Sequence, residues 1–194
     1  MRMAKVLRKT SETDIELEFN LDGTGKSQIN SGIPFFDHML ILFAKHGLFD
    51  LTIKAKGDIQ VDFHHTVEDI GIALGEAFKK ALGDCYGINR YASGLCPMDE
   101  SLAQIALDIS GRPFLSFKPE NIKGKTGEFD FELIKEFLTA FVNNAKITLH
   151  IDVLNGDNLH HIAESCFKGL GVILDQATQI DARKKSIPST KGII

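Results

Sequence analysis

The chain has few cysteines and no long apolar run. Its 194 residues include three cysteines, Cys85, Cys96 and Cys166, which form neither a CxxC pair nor an even set. That spacing argues against a disulfide framework and fits a reducing compartment. No segment approaches the roughly 20 apolar residues that a membrane span requires, and the first residues contain no apolar signal core. We therefore expect a soluble, cytoplasmic protein.

The chain also lacks a strong excess of either charge. Its 22 basic and 26 acidic residues give a formal net charge of −4. Proteins that bind nucleic acid or an anionic membrane usually present a basic surface, so neither partner is expected. With 43% hydrophobic residues, the chain has enough apolar side chains for one compact unit or two small fused lobes.

Against this background, one short motif is present twice. Residues 64–69 read HHTVED and residues 160–165 read HHIAES, an offset of 96 residues in a chain of 194. We call residues 64–68 and 160–164 the first and second HHxxE motifs. Residues three or four apart share one face of a helix, so each Glu can join a histidine of its own motif in binding a metal. A single such histidine is more often structural, but the repetition favours metal ligation.

Adjacent histidines on a helix point about 100° apart, so one metal ion is not expected to bind both members of a pair. Two motifs therefore favour two metals over one crowded site. Imidazole suits Mn, Fe, Co, Ni or Zn, and the carboxylates favour the harder ions. No cysteine lies within either motif, which argues against a structural thiolate zinc site.

Apolar periodicity predicts alternating strands and helices. The predicted strands cover residues 4–20, 48–53, 59–63, 103–109, 113–117 and 147–154. The predicted helices cover residues 33–46, 64–82, 131–144 and 160–177, and the second and fourth of these carry the HHxxE motifs.

This order predicts an α+β fold with an internal duplication. Each half, residues 1–92 and residues 93–194, is expected to form an antiparallel sheet with helices packed on one face. The two halves are expected to meet helix to helix in one globular unit. We expect this pseudo-twofold packing to bring the two HHxxE motifs near each other.

Other polar residues complete the candidate chemistry. His38 and His150 are plausible completing ligands, because a six-coordinate ion needs more than His, His and Glu. Carboxylates near strand ends that can act as acid or base are Glu12, Asp99, Glu100 and Asp108. Basic residues and a hydroxyl that can together bind a phosphate are Arg90, Arg112, Lys168, Ser189 and Lys191. The alternative for each basic residue is a solvated surface role, and for residues 183–192 a frayed tail.

Six segments in order resemble the imidazoleglycerol-phosphate dehydratase family of histidine biosynthesis. They are residues 36–39 (FDHM), 62–69 (DFHHTVED), 98–100 (MDE), 108–113 (DISGRP), 158–164 (NLHHIAE) and 189–192 (STKG). The resemblance runs from about residue 4 to the C-terminus without a long insertion, and it includes no fused phosphatase domain.

The resemblance implies two Mn²⁺ ions per active site and a homo-oligomer of 24 subunits with sites at subunit boundaries. The implied metal ligands are His38, His64, His65, Glu68, His150, His160, His161 and Glu164. The implied phosphate-binding residues are Arg90, Arg112, Lys168, Ser189 and Lys191, and Glu12 is the implied acid–base.

The implied reaction converts D-erythro-imidazole glycerol phosphate to imidazole acetol phosphate. The hydrogen that is lost lies next to no carbonyl, so the expected route uses the substrate ring, as a dimetal-bound imidazolate that forms a diazafulvene-like intermediate. Two other classes of protein share some of these features. A dimetal hydrolase would cleave an ester or amide, and a metal-storage shell would explain the ligands but not the arginines.

Overall fold

The computed structural model describes residues 2–194 as two halves of the same design. The elements of the first half are β1 (Met3–Lys9), β2 (Thr13–Asn20), β3 (Ser27–Asn30), α1 (Pro34–His46), β4 (Asp50–Gly57) and α2 (His64–Leu82). Those of the second half are β5 (Tyr91–Met98), β6 (Ser101–Asp108), β7 (Phe114–Lys118), β8 (Lys125–Thr126), β9 (Phe129–Asp130), α3 (Leu133–Ala145), β10 (Thr148–Asn155) and α4 (Leu159–Thr178).

The two large sheets have the same topology. Their strand orders are β1-β2-β4-β3 and β5-β6-β10-β7. In each sheet, two neighbouring pairs are antiparallel and the last pair, β3 with β4 or β7 with β10, is parallel. A parallel pair needs a crossover connection, which α1 and α3 supply. This agreement confirms the predicted α+β fold and its internal duplication.

The four helices lie between the two sheets. Helices α1 and α2 pack on the first sheet and α3 and α4 on the second, while α1 contacts α4 and α2 contacts α3. The halves therefore meet helix to helix, as predicted. Strand β2 turns Ile15, Leu17 and Phe19 into the core, each at most 1% exposed, which matches the period-two alternation of the sequence.

Two glycines allow the close approach of these helix pairs. A Cβ atom on Gly171 of α4 would lie 2.5 Å from the carbonyl oxygen of Phe43 on α1, and one on Gly75 of α2 would lie 2.6 Å from the carbonyl oxygen of Phe141 on α3. These glycines are 96 residues apart, the same offset as the HHxxE motifs. The duplication therefore preserves the helix contact as well as the motif.

The predicted strand over residues 4–20 is in fact a hairpin of β1 and β2, with Thr10 N donating to Thr13 O across the turn. The strand predicted over residues 59–63 is wrong, because that segment is a turn closed by Val61 N donating to Asp58 O at 2.8 Å. The alternation of apolar and polar residues that predicted this strand does not reflect burial here, because Val61 is 66% exposed.

The sequence did not predict the edge strands β3 and β5 or the short hairpin of β8 and β9. Strand β3 has four residues, and β5 contains Gly94 and Pro97, which are both unfavourable inside a strand. The division of the chain at residues 92 and 93 stays a prediction; the first strand of the second sheet begins at Tyr91. Across residues 2–194, no helix is both long and apolar enough to span a membrane.

Candidate active site

The second HHxxE motif forms a compact ligand group with α1. His38 lies on α1 and His160 and Glu164 lie on α4, and the contact between these helices brings the three side chains together. Oε1 of Glu164 is 2.9 Å from Nε2 of His38 and 3.1 Å from Nε2 of His160. One ligand atom from each residue lies within 4.8 Å of the other two, and no other such group of three occurs in residues 2–194.

The carboxylate of this group is buried and anionic. The Glu164 side chain is 9% exposed, and its Oε2 accepts a hydrogen bond from Nζ of Lys168 at 2.6 Å. Burial opposes ionisation, but the Lys168 ammonium and the His38 ring outweigh it and hold the pKa of Glu164 at about 2. Glu164 is therefore charged at neutral pH and ready to bind a cation.

The first HHxxE motif is more open. Nε2 of His64 lies 4.0 Å from Oε2 of Glu68, whose side chain is 46% exposed. Helices α1 and α3 each have 13 residues and start 99 residues apart, so the position of His38 on α1 corresponds to Phe137 on α3. Phe137 is buried in the core. The first motif therefore has no third ligand from the helix that packs against it.

The paired histidines diverge, as the helical spacing predicted. The ring planes of His64 and His65 are 89° apart with centroids separated by 6.1 Å, and those of His160 and His161 are 77° apart at 6.4 Å. The two rings of a pair therefore face different carboxylates, one the Glu of its own motif and the other a carboxylate outside it.

Glu12 lies beside the first motif. It is in the β1–β2 turn, and its Oε1 is 3.8 Å from Nε2 of His65. A buried carboxylate in α2 holds this turn in place: the hydroxyl of Thr13 donates a hydrogen bond to Asp69. Asp69 also forms a salt bridge with Arg8 at 2.7 Å. Asp69 is next to Glu68 in α2, so the Thr13 hydrogen bond ties the Glu12 turn to the helix that carries the first motif.

A cleft of about 700 Å³ gathers four of the predicted phosphate-binding residues, namely Arg90, Arg112, Ser189 and Lys191. Nε of Arg90 donates to Asp108 at 2.8 Å, and its Nη1 donates to the carbonyl oxygen of Pro188 at 2.8 Å. The C-terminal segment is therefore packed against the strand that follows Arg90, in contrast to a frayed tail. Two guanidinium groups and an ammonium group make the cleft suitable for an anion.

Two predicted site residues, Lys168 and His150, lie outside the groups to which they were assigned. Lys168 is beside Glu164 and Met98 and does not line the cleft. His150 is exposed on β10, next to the ring of Phe114 at 5.5 Å. The ligand group of the second motif contains no atom of the first, so the two motifs do not form one compact ligand group within residues 2–194.

Sequence reasoning missed the contact that Asp58 makes and the role that Glu100 plays. Asp58 Oδ2 is 3.0 Å from Nδ1 of His65, and Glu100 Oε2 is 2.7 Å from Nδ1 of His161. Each carboxylate raises the pKa of its histidine, and His161 lowers that of Glu100 to about 2. A Gly-Asp pair precedes each motif, Gly57-Asp58 and Gly156-Asp157. Within residues 2–194, the Asp58 side chain contacts a histidine of its motif, whereas Asp157 contacts Glu100 through its backbone N–H.

The sequence is similar to known proteins along its whole length. A model of the family "Imidazoleglycerol-phosphate dehydratase" matches residues 31–174. The imidazoleglycerol-phosphate dehydratase of Azorhizobium caulinodans is 59% identical over 195 residues, which span 100% of this chain and 99% of the relative. That of Pelobacter propionicus is 58% identical over 193 residues, which span 100% of this chain and 99% of the relative.

The fold is also similar to that of solved structures. The crystal structure of imidazoleglycerol-phosphate dehydratase from Staphylococcus aureus has a TM-score of 0.83 and 39% identity, covering 92% of this chain and 99% of that one. The enzyme from Pyrococcus furiosus, solved in complex with (S)-C348, has a TM-score of 0.83 and 37% identity, covering 97% of this chain and 100% of that one. The similarity includes both halves of the duplication.

Proposed function

The chain belongs to the imidazoleglycerol-phosphate dehydratase family of histidine biosynthesis, and on that premise we propose that it dehydrates D-erythro-imidazole glycerol phosphate to imidazole acetol phosphate with two Mn²⁺ ions per active site. The observation that carries this proposal is the convergence of His38, His160 and Glu164 on one point. Family membership favours this hydro-lyase reaction over the hydrolase and metal-storage alternatives.

The residues present fit a manganese ion. Two imidazole nitrogens and one anionic carboxylate oxygen within 4.8 Å of one another form a mixed nitrogen and oxygen donor set, which suits Mn²⁺ and related first-row ions. When bound, the ions would supply positive charge that lowers the pKa of the substrate imidazole, so that the ring becomes electron-rich. The proposed ligands are His38, His64, His65, Glu68, His150, His160, His161 and Glu164.

Glu12 is the proposed acid–base. An electron-rich ring can expel the hydroxyl group from the neighbouring carbon, and the neutral diazafulvene-like species that results has an acidic C–H on the next carbon. Glu12 is half-exposed and 3.8 Å from a proposed ligand ring, so it can reach a substrate held there and remove that proton. The enol then becomes the ketone of the product. Proton transfer by a positioned side chain is the role that this geometry supports.

The anion cleft is the proposed phosphate site. Arg90, Arg112, Ser189 and Lys191 line it, and phosphate oxygens accept several charge-assisted hydrogen bonds at once from such a set. Lys168 does not line this cleft, and we propose it as a further phosphate contact because its ammonium group lies beside the proposed metal ligand Glu164. Binding energy from the phosphate would fix the substrate chain beside the metals.

We also propose an assembly of 24 subunits with shared active sites, the state that the family resemblance implies. Within residues 2–194, no third residue joins the first HHxxE motif in a compact ligand group, and His150 is exposed on the outer face of the second sheet. Tyr91, Leu95 and Phe114 on the same sheet are 60%, 60% and 56% exposed, and exposed apolar surface of this kind marks an interface. We further propose a cytoplasmic location, in keeping with the three free cysteines.

Removal of divalent metal is expected to abolish dehydratase activity. Stripping the protein with a chelator and re-adding ions should restore turnover with Mn²⁺ better than with Mg²⁺, because imidazole ligands favour the transition metal over the harder ion. The measurement is the rate of imidazole acetol phosphate formation at each ion concentration. Full activity in protein shown to be metal-free would contradict the dimetal proposal.

The Glu12→Gln variant is expected to bind substrate almost normally and to turn it over about 10²- to 10⁴-fold more slowly, because an amide cannot accept the proton. Glu18→Gln is the matched control, since Glu18 is an exposed carboxylate on the outer face of the same strand pair. Steady-state kinetics of the two variants provide the comparison. A turnover number equal to that of the control would remove Glu12 from the mechanism.

The Lys191→Ala variant is expected to raise KM by about tenfold or more with a smaller change in kcat, since a charge-assisted hydrogen bond to phosphate contributes roughly 1.5–3 kcal/mol. Lys185→Ala is the control, because Lys185 is exposed in the same segment but does not line the cleft. A loss confined to kcat would argue against a phosphate clamp that acts in the ground state.

A further inference from the structure

One histidine of each HHxxE motif is held at its Nδ1 atom by a carboxylate from outside the motif. His65 Nδ1 lies 3.0 Å from Asp58 Oδ2, and His161 Nδ1 lies 2.7 Å from Glu100 Oε2. Nε2 of the same two rings faces more open space, where Glu12 and Asp99 are the carboxylates at 3.8 and 3.9 Å. Each ring therefore has one nitrogen fixed and one nitrogen presented.

The two carboxylates come from different parts of the duplicated fold. Asp58 follows β4, immediately before the turn that leads to α2, whereas Glu100 is in the tight turn between β5 and β6. The hairpins β1–β2 and β5–β6 are offset by 88 residues, so Glu100 corresponds to Glu12. Strands β4 and β10 are offset by 98 residues, so Asp58 corresponds to Gly156. The same contact is thus made twice without being inherited from one duplicated residue, which indicates that the contact itself is required.

The chemistry of imidazole gives a reason for the contact. A carboxylate accepts a hydrogen bond only from a protonated ring nitrogen, so a neutral ring bound at Nδ1 carries its proton there and presents a lone pair at Nε2. Histidines that bind metals usually donate their other N–H to a carboxylate or carbonyl, which fixes the ring orientation and increases its basicity.

We propose that Asp58 and Glu100 are positioning residues that fix the tautomer and orientation of His65 and His161, so that Nε2 of each ring is directed at a metal ion. This inference rests on the proposed metal-dependent function. It assigns Asp58 and Glu100 an indirect role, which they exert through the histidine rings that they contact.

The test is a Mn²⁺ titration of the assembled, metal-free protein, with free ion followed by electron paramagnetic resonance. Asp58→Asn and Glu100→Gln keep the side-chain size but remove the charge, and each is expected to weaken Mn²⁺ binding by about ten- to a hundredfold at the affected site. Asp58 is the cleaner position, because Glu100 also accepts a hydrogen bond from the backbone N–H of Asn158.

The matched control is Asp62→Asn. Asp62 accepts a hydrogen bond from the backbone N–H of His64 at 2.8 Å, and Asn158 does the same for His160 at 2.8 Å. Asparagine is therefore already used at this helix start in the second half, and the control is expected to bind Mn²⁺ as the unmodified protein does.

The outcomes separate the inference from the function on which it rests. If the unmodified protein binds no Mn²⁺, the proposed metal dependence is wrong. If the unmodified protein binds Mn²⁺ and both test variants match Asp62→Asn, the positioning role is overturned. The thermal unfolding midpoint of each metal-free test variant is expected to equal that of metal-free Asp62→Asn. A lower midpoint in both test variants would assign the carboxylates to folding stability and would also overturn the proposal.

Discussion

Two neighbouring histidines on a helix point in different directions, and the whole proposed site depends on this angular constraint. A residue step of about 100° separates their side chains, and the ring planes of the two pairs are 89° and 77° apart. In each pair, one ring therefore faces the Glu of its own motif and the other faces a carboxylate in or next to a turn. The two motifs together then present four imidazole rings that face different ways, which is why we propose more than one metal ion.

The duplication preserved the fold but not the environment of the motif. Glu164 is buried with His38 and Lys168, whereas Glu68 is half-exposed and has neither neighbour. At the repeat offsets, these neighbours correspond to Phe137 and Ile72. One motif is thus assembled within the chain and the other is left open, and an exposed His150 is the kind of group that another subunit could supply to it.

Local sequence patterns predicted most of the fold, and they selected the three residues that the structure brings together as a ligand group, namely His38, His160 and Glu164; the other site residues stay predictions. Predicted helix bounds lie within two residues of the observed ones, because apolar residues at helical spacing mark the buried face of a helix. The HHxxE motifs needed only helical spacing to be recognised. The pattern failed at Val61, where alternation faces solvent, and at β5, where Gly94 and Pro97 conceal an edge strand. Asp58 could not be assigned, because its contact with His65 depends on how a turn folds back onto a helix.

The central claim, that each active site draws ligands from more than one chain, can be tested by subunit complementation. Chains with His150→Ala and chains with Glu68→Gln are each expected to be inactive when assembled alone. Co-assembled in equal amounts, they should regain about a quarter of the unmodified activity, the random-mixing expectation for a site shared by two copies. Mixed assemblies no more active than either variant alone would show that both residues act within one chain and would contradict this account.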